Sequence, residues 1–237
     1  MRIAIIGYGR MGKVIEQKAL ERGHEISGKI TSHNADQLPE VLKKSDAAIE
    51  FTVPKAAGDN IKLCADHNVP VIVGTTGWYD SFNEIKEYLK ERKGTMLYAT
   101  NFSVGVNITF KLNQILAKIM NKQKMYAPEI EEIHHIHKLD APSGTAITLA
   151  EGLIDNYEGK TNWKLNGSER DDELAVYAKR ENEVPGTHTV RYECDIDKIT
   201  LKHEAKSRDG FALGSVLAAE FCTDKQGIFT MQDMLQL

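Results

Sequence analysis

A chain of 237 residues, 41% hydrophobic and 27% charged, is long enough for one large domain or two modest ones and has an ordinary soluble, globular composition. Its formal charge of −4 gives no general basic field for nucleic acid or anionic lipid, so an anionic ligand must be met by a local cluster of donors. Cys64, Cys194 and Cys222 are odd in number and far apart, which argues against a disulfide framework and for a reducing, cytoplasmic setting. The apolar run before Gly7 is too short for a signal-peptide core or a membrane span.

The opening RIAIIGYGRMGKVIEQKALERGHEISGKI reads as strand, glycine turn, helix, strand. Ile3 to Ile6 form an apolar run bounded by glycine, as expected of a strand buried on both faces. Gly7, Gly9 and Gly12 match G-x-G-x-x-G in the context that gives the pattern meaning, after a strand and at the start of a helix. Gly7 permits the tight turn, Gly9 lets a pyrophosphate approach the backbone, and Gly12 allows close helix–strand packing. Further strand–helix alternation follows. Residues 46–54, 69–78 and 95–103 read as strands running into loops, and 56–68 and 79–94 read as helices. This pattern predicts a doubly wound parallel sheet with its ligand at the strands' C-terminal ends, where Phe51-Thr52, Gly74-Thr75-Thr76 and Ala99-Thr100-Asn101-Phe102 all fall.

The second half begins with a helix over 104–121 that carries Ile108, Leu112, Ile115, Leu116 and Ile119 on one face. PEIEEIHHIHK suits a strand, and helical periodicity returns from Ser143 with Ile147, Ala150, Leu153, Ile154 and Tyr157. After a polar, turn-rich stretch around NGSERDDELA, THTVRYECD and KITLKHEAK alternate as hairpin-like strands. They predict a second, α+β domain with a mixed, mostly antiparallel sheet. A last helix near 211–222 and GIFTMQDML return to α/β material and suggest that the tail rejoins the first domain.

The stretch HHIHKLDAPSGTA gathers His134, His135, His137 and Lys138 just before Pro142. Pro142 stops any strand, and Ser143-Gly144-Thr145 open the next helix, whose backbone N–H groups and hydroxyls form a carboxylate or phosphate cradle. If the chain stays extended, His134 and Lys138 share a face and His135 points away. A metal site is one rival, but His-His-x-His on a strand divides its ligands between two faces, and no carboxylate or cysteine joins them at a familiar spacing. A solvated polar edge is another. Acid/base chemistry facing a bound anion is the favoured reading.

HHIHKLDAPSGTA, together with GYGRMG, GTTG, NFSVGVN and VPGTH, closely resembles the dihydrodipicolinate (4-hydroxy-tetrahydrodipicolinate) reductases of lysine and diaminopimelate biosynthesis, over essentially the whole chain. The resemblance implies a Rossmann domain of residues 1–103 with 208–237, a substrate-binding and tetramerisation domain of 104–207, and hinges near Ser103 and Arg208. It implies a homotetramer that transfers hydride from NADPH or NADH to a cyclic, unsaturated dicarboxylate. The family's acid/base histidine falls on His134 and its proton-donor lysine on Lys138. Its substrate-carboxylate contacts fall on His135, Gly144 and Thr145, with Ser143 adjacent. Its cofactor contacts fall on Gly7, Tyr8, Gly9, Arg10, Met11 and Gly12, on Gly74, Thr75 and Thr76, and on Ala99, Thr100, Asn101 and Phe102. An acid with a pKa near 7 at the histidine would deliver the proton that follows hydride addition.

Two positions depart from the pattern. Glu50 replaces the usual aspartate before Phe-Thr. The acid expected after the second strand, which binds the ribose 2′-hydroxyl, is absent, and Thr31 and Ser32 stand there. With that repulsion gone, and with His33 and Arg10 as nearby positive charges, dual cofactor use tilted toward NADPH is expected. Asp36 folding back would reverse the tilt. Another two-domain dehydrogenase acting on an amino acid or sugar, or a nucleotide-sensing module, are the alternative functions.

Overall fold

Strand β1 (Arg2–Ile6) is apolar at every buried position because both of its faces are covered. Ile3 and Ile5 pack on one side of the sheet with Ile15, Ala19, Val216 and Ala219, and Ala4 and Ile6 pack on the other with Leu42, Ile61 and Leu89. In the computed structural model, which describes residues 1–237, the chain divides into two compact units, Met1–Val104 with Asp209–Leu237, and Gly105–Arg208.

In the first unit β1 lies between β2 (Glu25–Ile30) and β3 (Ala47–Glu50). Beyond β3 come β4 (Val71–Val73), β5 (Thr95–Tyr98) and β11 (Gly227–Phe229), all parallel. Helices α1 (Arg10–Glu21), α2 (Leu38–Leu42), α3 (Pro54–Asp66), α4 (Phe82–Glu91), α7 (Asp209–Cys222) and α8 (Met231–Leu235) complete the two layers around it. The chain steps from β1 to β2 on one side and then to β3 on the other. The sheet therefore has a switch point between β1 and β3, where a doubly wound fold opens its ligand crevice.

The second unit holds α5 (Val104–Met120), β6 (Ala127–His134), α6 (Gly144–Ile154), β7 (Asn162–Leu165), β8 (Glu173–Arg180), β9 (Thr187–Glu193) and β10 (Lys198–Glu204). Its sheet runs β10-β9-β6-β8-β7. β9 pairs antiparallel with β10 and β6, while β6–β8 and β8–β7 are parallel. The mixed sheet is as expected, with a smaller antiparallel share, because ELAVYAKR and NWKL form strands inside a region that reads as turn-rich in sequence.

Two local expectations are corrected. The Ile108, Leu112, Ile115 and Ile119 stripe of α5 is 40–57% exposed, and the buried side carries Val106, Thr109, Asn113, Ala117 and Met120. Asn113 is fully buried because its amide donates to the Leu149 carbonyl of α6 at 2.8 Å, so a polar residue makes this helix contact. The strand expected through Lys138 ends at His134. Residues 135–138 turn instead, with the Lys138 N–H donating to the His135 carbonyl at 3.1 Å, so Lys138 does not follow the strand's alternation.

Candidate active site

At the switch point the three glycines of the first turn have separate physical roles. Gly7 has φ +96°, and a Cβ there would lie 2.0 Å from the Phe51 carbonyl oxygen, so only glycine fits between β1 and the β3 loop. A Cβ on Gly12 would come 2.7 Å from the Gly7 oxygen, which fixes how closely α1 lies on its own turn. Gly9, the N-cap of α1, faces open space, and the first turn of the helix carries no acidic residue to compete with an anion.

Gly7, Tyr8 and Gly9 line a cleft of about 490 Å³ with Thr31, Ser32, His33, Phe51, Thr52 and Asn60. No carboxylate lines it, and Asp36 is not part of it. Thr31 is held inward, its N–H and hydroxyl donating to the Asn34 side-chain oxygen at 2.7 and 2.9 Å, whereas Ser32 and His33 are exposed. Lys29 is ion-paired with Glu16, and its Nζ lies 4.9 Å from the Tyr8 ring centre. Glu50 ends β3 fully buried beneath this edge. Its Oε1 accepts from the Thr52 hydroxyl and from Asn60 at 3.4 Å, and burial pushes its pKa up.

The other cofactor candidates divide by exposure. Arg10, Thr76 and Thr100 are exposed and Gly74 is half-buried, while Gly12, Thr75, Asn101 and Phe102 are buried. Met11 and Ala99 pack against the core. Thr75 Oγ1 accepts the Thr52 N–H at 2.7 Å, and a Cβ on Gly74 would strike the Phe51 ring at 2.1 Å. These loops brace one another and the glycine turn; none of the ten residues lines the cleft.

In the second unit β6 buries alternate residues, Ile130, Glu132 and His134 among them, so a carboxylate and an imidazole point into the protein together. Glu132 is fully buried. Its Oε2 accepts the Ser143 N–H at 3.1 Å and lies 3.5 Å from His134 Nδ1 and 3.7 Å from His188 Nε2; its Oε1 receives Arg180 Nη2 at 3.2 Å. Ser143 caps α6, accepting the Ala146 N–H at 3.2 Å, and its hydroxyl is 3.1 Å from His188 Nε2. Lys138 Nζ meets both oxygens of Asp140 at 2.8 Å. Of the sequence-predicted pair, His134 shares Glu132 with the Ser143 N–H at the start of α6, where Gly144 is exposed with nothing within 4 Å of its Cβ position and Thr145 is half-buried, while the Lys138 ammonium is held by Asp140. His135 is half-buried, and His137 is exposed beside Glu183. Sequence reasoning missed Glu132, His188 and Arg180. The available signal was an acid at the inward parity of β6.

Electrostatics set the resting state of this cluster. Burial works against the Glu132 charge, but hydrogen bonds from His188 and Ser143 and the nearby His134 bring its pKa down to about 2. Burial lowers His134 to about 4 against the pull of Glu132, with His188, Lys138 and Arg180 adding to the lowering. His134 is therefore neutral at pH 7 in the free protein, not an acid poised near 7 as its position in the motif suggests. Glu132, His134 and His188 place three ligand atoms within 4.8 Å of one another, so the carboxylate absent from the sequence-spacing argument is supplied through the fold.

A doubly wound parallel sheet with an open phosphate turn, joined to a second unit that buries a proton-carrying cluster, defines a Rossmann-type oxidoreductase. Residues 1–102 match the N-terminal model, and residues 105–235 the C-terminal model, of dihydrodipicolinate reductase. The chain belongs to the dihydrodipicolinate reductase family. It is 49% identical to the 4-hydroxy-tetrahydrodipicolinate reductase of Christiangramia forsetii, over 99% of this chain and 98% of that protein. With the enzyme of the same name from Methanocaldococcus jannaschii it shares 37% identity over 86% and 76%. Among solved structures, dipicolinate-bound dihydrodipicolinate reductase from Paenisporosarcina sp. TG-14 has the same fold, with a TM-score of 0.80 at 20% identity and 97% of both chains covered. No helix is long and apolar enough to cross a membrane.

Proposed function

We propose that this chain reduces 4-hydroxy-tetrahydrodipicolinate (dihydrodipicolinate) to tetrahydrodipicolinate with NADPH or NADH, the first unit holding the nucleotide and the second the dicarboxylate. The observation that carries this reading is the meeting of His134 and the Ser143 cap on the buried Glu132 carboxylate at the start of α6, inside a family of reductases. Loss of water from the 4-hydroxy compound gives dihydrodipicolinate, and the nicotinamide, when bound, would supply a hydride to its electron-poor C=C, which is conjugated with the imine. The α6 N-terminus at Gly144 and Thr145, with Ser143 and His135 beside it, receives a substrate carboxylate. Lys138 stabilises the charge that develops on the substrate and donates the proton. Exchanging Asp140 for a substrate anion would keep its Nζ paired throughout. His134 is neutral until an anion arrives; two substrate carboxylates oppose the effect of burial and favour its protonation.

The nucleotide fits the first unit because the backbone at Gly9 is uncovered and α1 presents a bare N-terminus. Dual use with a tilt toward NADPH is supported by a cleft lined with Ser32 and His33 and with no carboxylate to repel a 2′-phosphate. Three unpaired cysteines fit a reducing cytoplasmic compartment. The edge strand β10 and the exposed α5 stripe leave surface that assembly into a homotetramer would cover.

The deciding experiment follows NADPH oxidation with freshly generated hydroxy-tetrahydrodipicolinate. His134→Ala and Lys138→Ala should each lower kcat by roughly 10²- to 10⁴-fold with little change in NADPH binding. Near-wild-type turnover in both would remove the assignment. EDTA should leave the rate unchanged, and a metal-dependent rate would transfer the Glu132–His134–His188 cluster to a metal role.

A further inference from the structure

The reaction scheme leaves two charged groups of the second unit without a task. Glu132 is fully buried on β6, and Arg180 closes β8 where it pairs in register with His134. Arg180 Nη2 donates to Glu132 Oε1 at 3.2 Å and to the Asp140 carbonyl at 2.6 Å, and its Nε donates to the Lys138 carbonyl at 3.3 Å. The other Glu132 oxygen accepts the Ser143 N–H and faces His134 Nδ1 across 3.5 Å. One ion pair therefore reaches the imidazole, the backbone that carries Lys138, and the cap of α6. A buried ion pair is a poor way to stabilise a fold, since a packed apolar pair does as well or better. What this pair adds is geometry.

We propose that Glu132 and Arg180 are positioning residues, and that Glu132 holds the resting proton of His134 on Nδ1 and so leaves Nε2 to exchange a proton with the substrate. In a neutral imidazole the tautomer follows from what each nitrogen meets, and a carboxylate beside Nδ1 calls for a proton there. His134 Nδ1 is buried with no other partner, so Glu132 is the one group that can set it. On the Nε2 side, a side chain at position 186 would start 3.1 Å from that nitrogen, and Gly186 leaves it uncovered. The 3.5 Å gap to Glu132 is longer than a hydrogen bond and shortens to a charge-assisted one when the imidazolium forms.

This proposal rests on the acid/base reading of His134, and its test reads the tautomer apart from turnover. In long-range ¹H–¹⁵N spectra of the ligand-free protein at pH 7.5, His134 should show the Nδ1–H form. Glu132→Gln, which keeps the shape and removes the charge, should shift it toward Nε2–H. The same substitution should lower kcat roughly 10²-fold while KM and NADPH binding stay within about threefold. Arg180→Lys, which keeps charge but loses the fork that holds two carbonyls, should also lower kcat more than it raises KM. A wild-type His134 in the Nε2–H form overturns the proposal whether or not any variant folds. So does Glu132→Gln with unchanged kcat, or with the Nδ1–H form retained. If His134→Ala keeps its turnover while the tautomer is as stated, the parent reading fails and the placement of the proton stands.

Discussion

Replacing Gly9 with alanine should leave the fold intact and weaken the nucleotide, whereas the same change at Gly12 should weaken the fold. A Cβ on Gly9 meets nothing within 4 Å, and its backbone is extended with a negative φ of −94°. As an N-cap, alanine is worse than glycine by about 0.5–1 kcal/mol. The stiffer unfolded chain returns about 0.4–1 kcal/mol. The two nearly cancel, so Tm should stay within about 3 °C of wild type. A methyl group at the distance where a pyrophosphate meets this backbone should raise the NADPH Kd at least tenfold, about 1.4 kcal/mol. At Gly12 the added Cβ sits 2.7 Å from the Gly7 oxygen and 3.3 Å from Ile5 Cγ2, so helix or turn must move. Overpacking of that kind costs about 1–3 kcal/mol, equivalent to a fall of roughly 2–12 °C. Thermal melts by circular dichroism and fluorescence titration with NADPH read the two effects separately. A Gly9→Ala protein that melts as wild type and binds NADPH as wild type would refute the reasoning that places the phosphates on this turn.

Acid should destabilise the protein in two overlapping windows. His134 gains its proton near pH 6.5 when unfolded but only near 4 when folded, so stability falls by about 3 kcal/mol as pH drops from about 6.5 to 4. Glu132 is held at about 2, so its contribution is complete above its unfolded pKa and is lost as pH falls toward 2. Urea melts across this range should show both, and His134→Asn should shrink the upper window, leaving the part that half-buried His203 contributes; an unchanged upper window would contradict the assignment. For the cofactor, kcat/KM should favour NADPH modestly, and a preference for NADH above about tenfold, roughly 1.4 kcal/mol, would count against the open 2′-phosphate site. Light scattering at micromolar concentration should report about four chains, and a monomer at every concentration would reject the tetramer.

The first unit is readable because its signals are local. A buried parallel strand is a short apolar run, and a glycine turn so close to a neighbouring carbonyl that an added Cβ would lie 2.0 Å from its oxygen admits no other residue. Strand, turn and helix lie within residues 2–21, so their order in sequence is their order in space. The α5 stripe shows where local reading stops. A helical period says which residues share a face, but packing decides which face is buried, and here the Asn113 bond to the Leu149 carbonyl makes the more polar side the inner one.

The proton-carrying site is only half legible for the same reason. His134, Lys138 and the α6 cap lie within ten residues, and their chemistry can be read from one motif. The groups that set their behaviour arrive from elsewhere. Arg180 comes with β8 and His188 with β9, and both strands are placed beside β6 by long-range pairing. Glu132 is the exception. It lies two residues before His134 and shares its inward parity, so once β6 is recognised as a strand with a buried face, an acid is placed where the core should be. A buried carboxylate must find donors, and here they are Ser143 and Arg180, with His134 and His188 alongside. Along the chain, three histidines of one segment stand together without a carboxylate at a familiar metal-ligand spacing. The fold assembles a different set, one histidine of that segment with a neighbouring carboxylate and a distant histidine, and the carboxylate and the distant histidine both bond to Ser143 at the cap of α6.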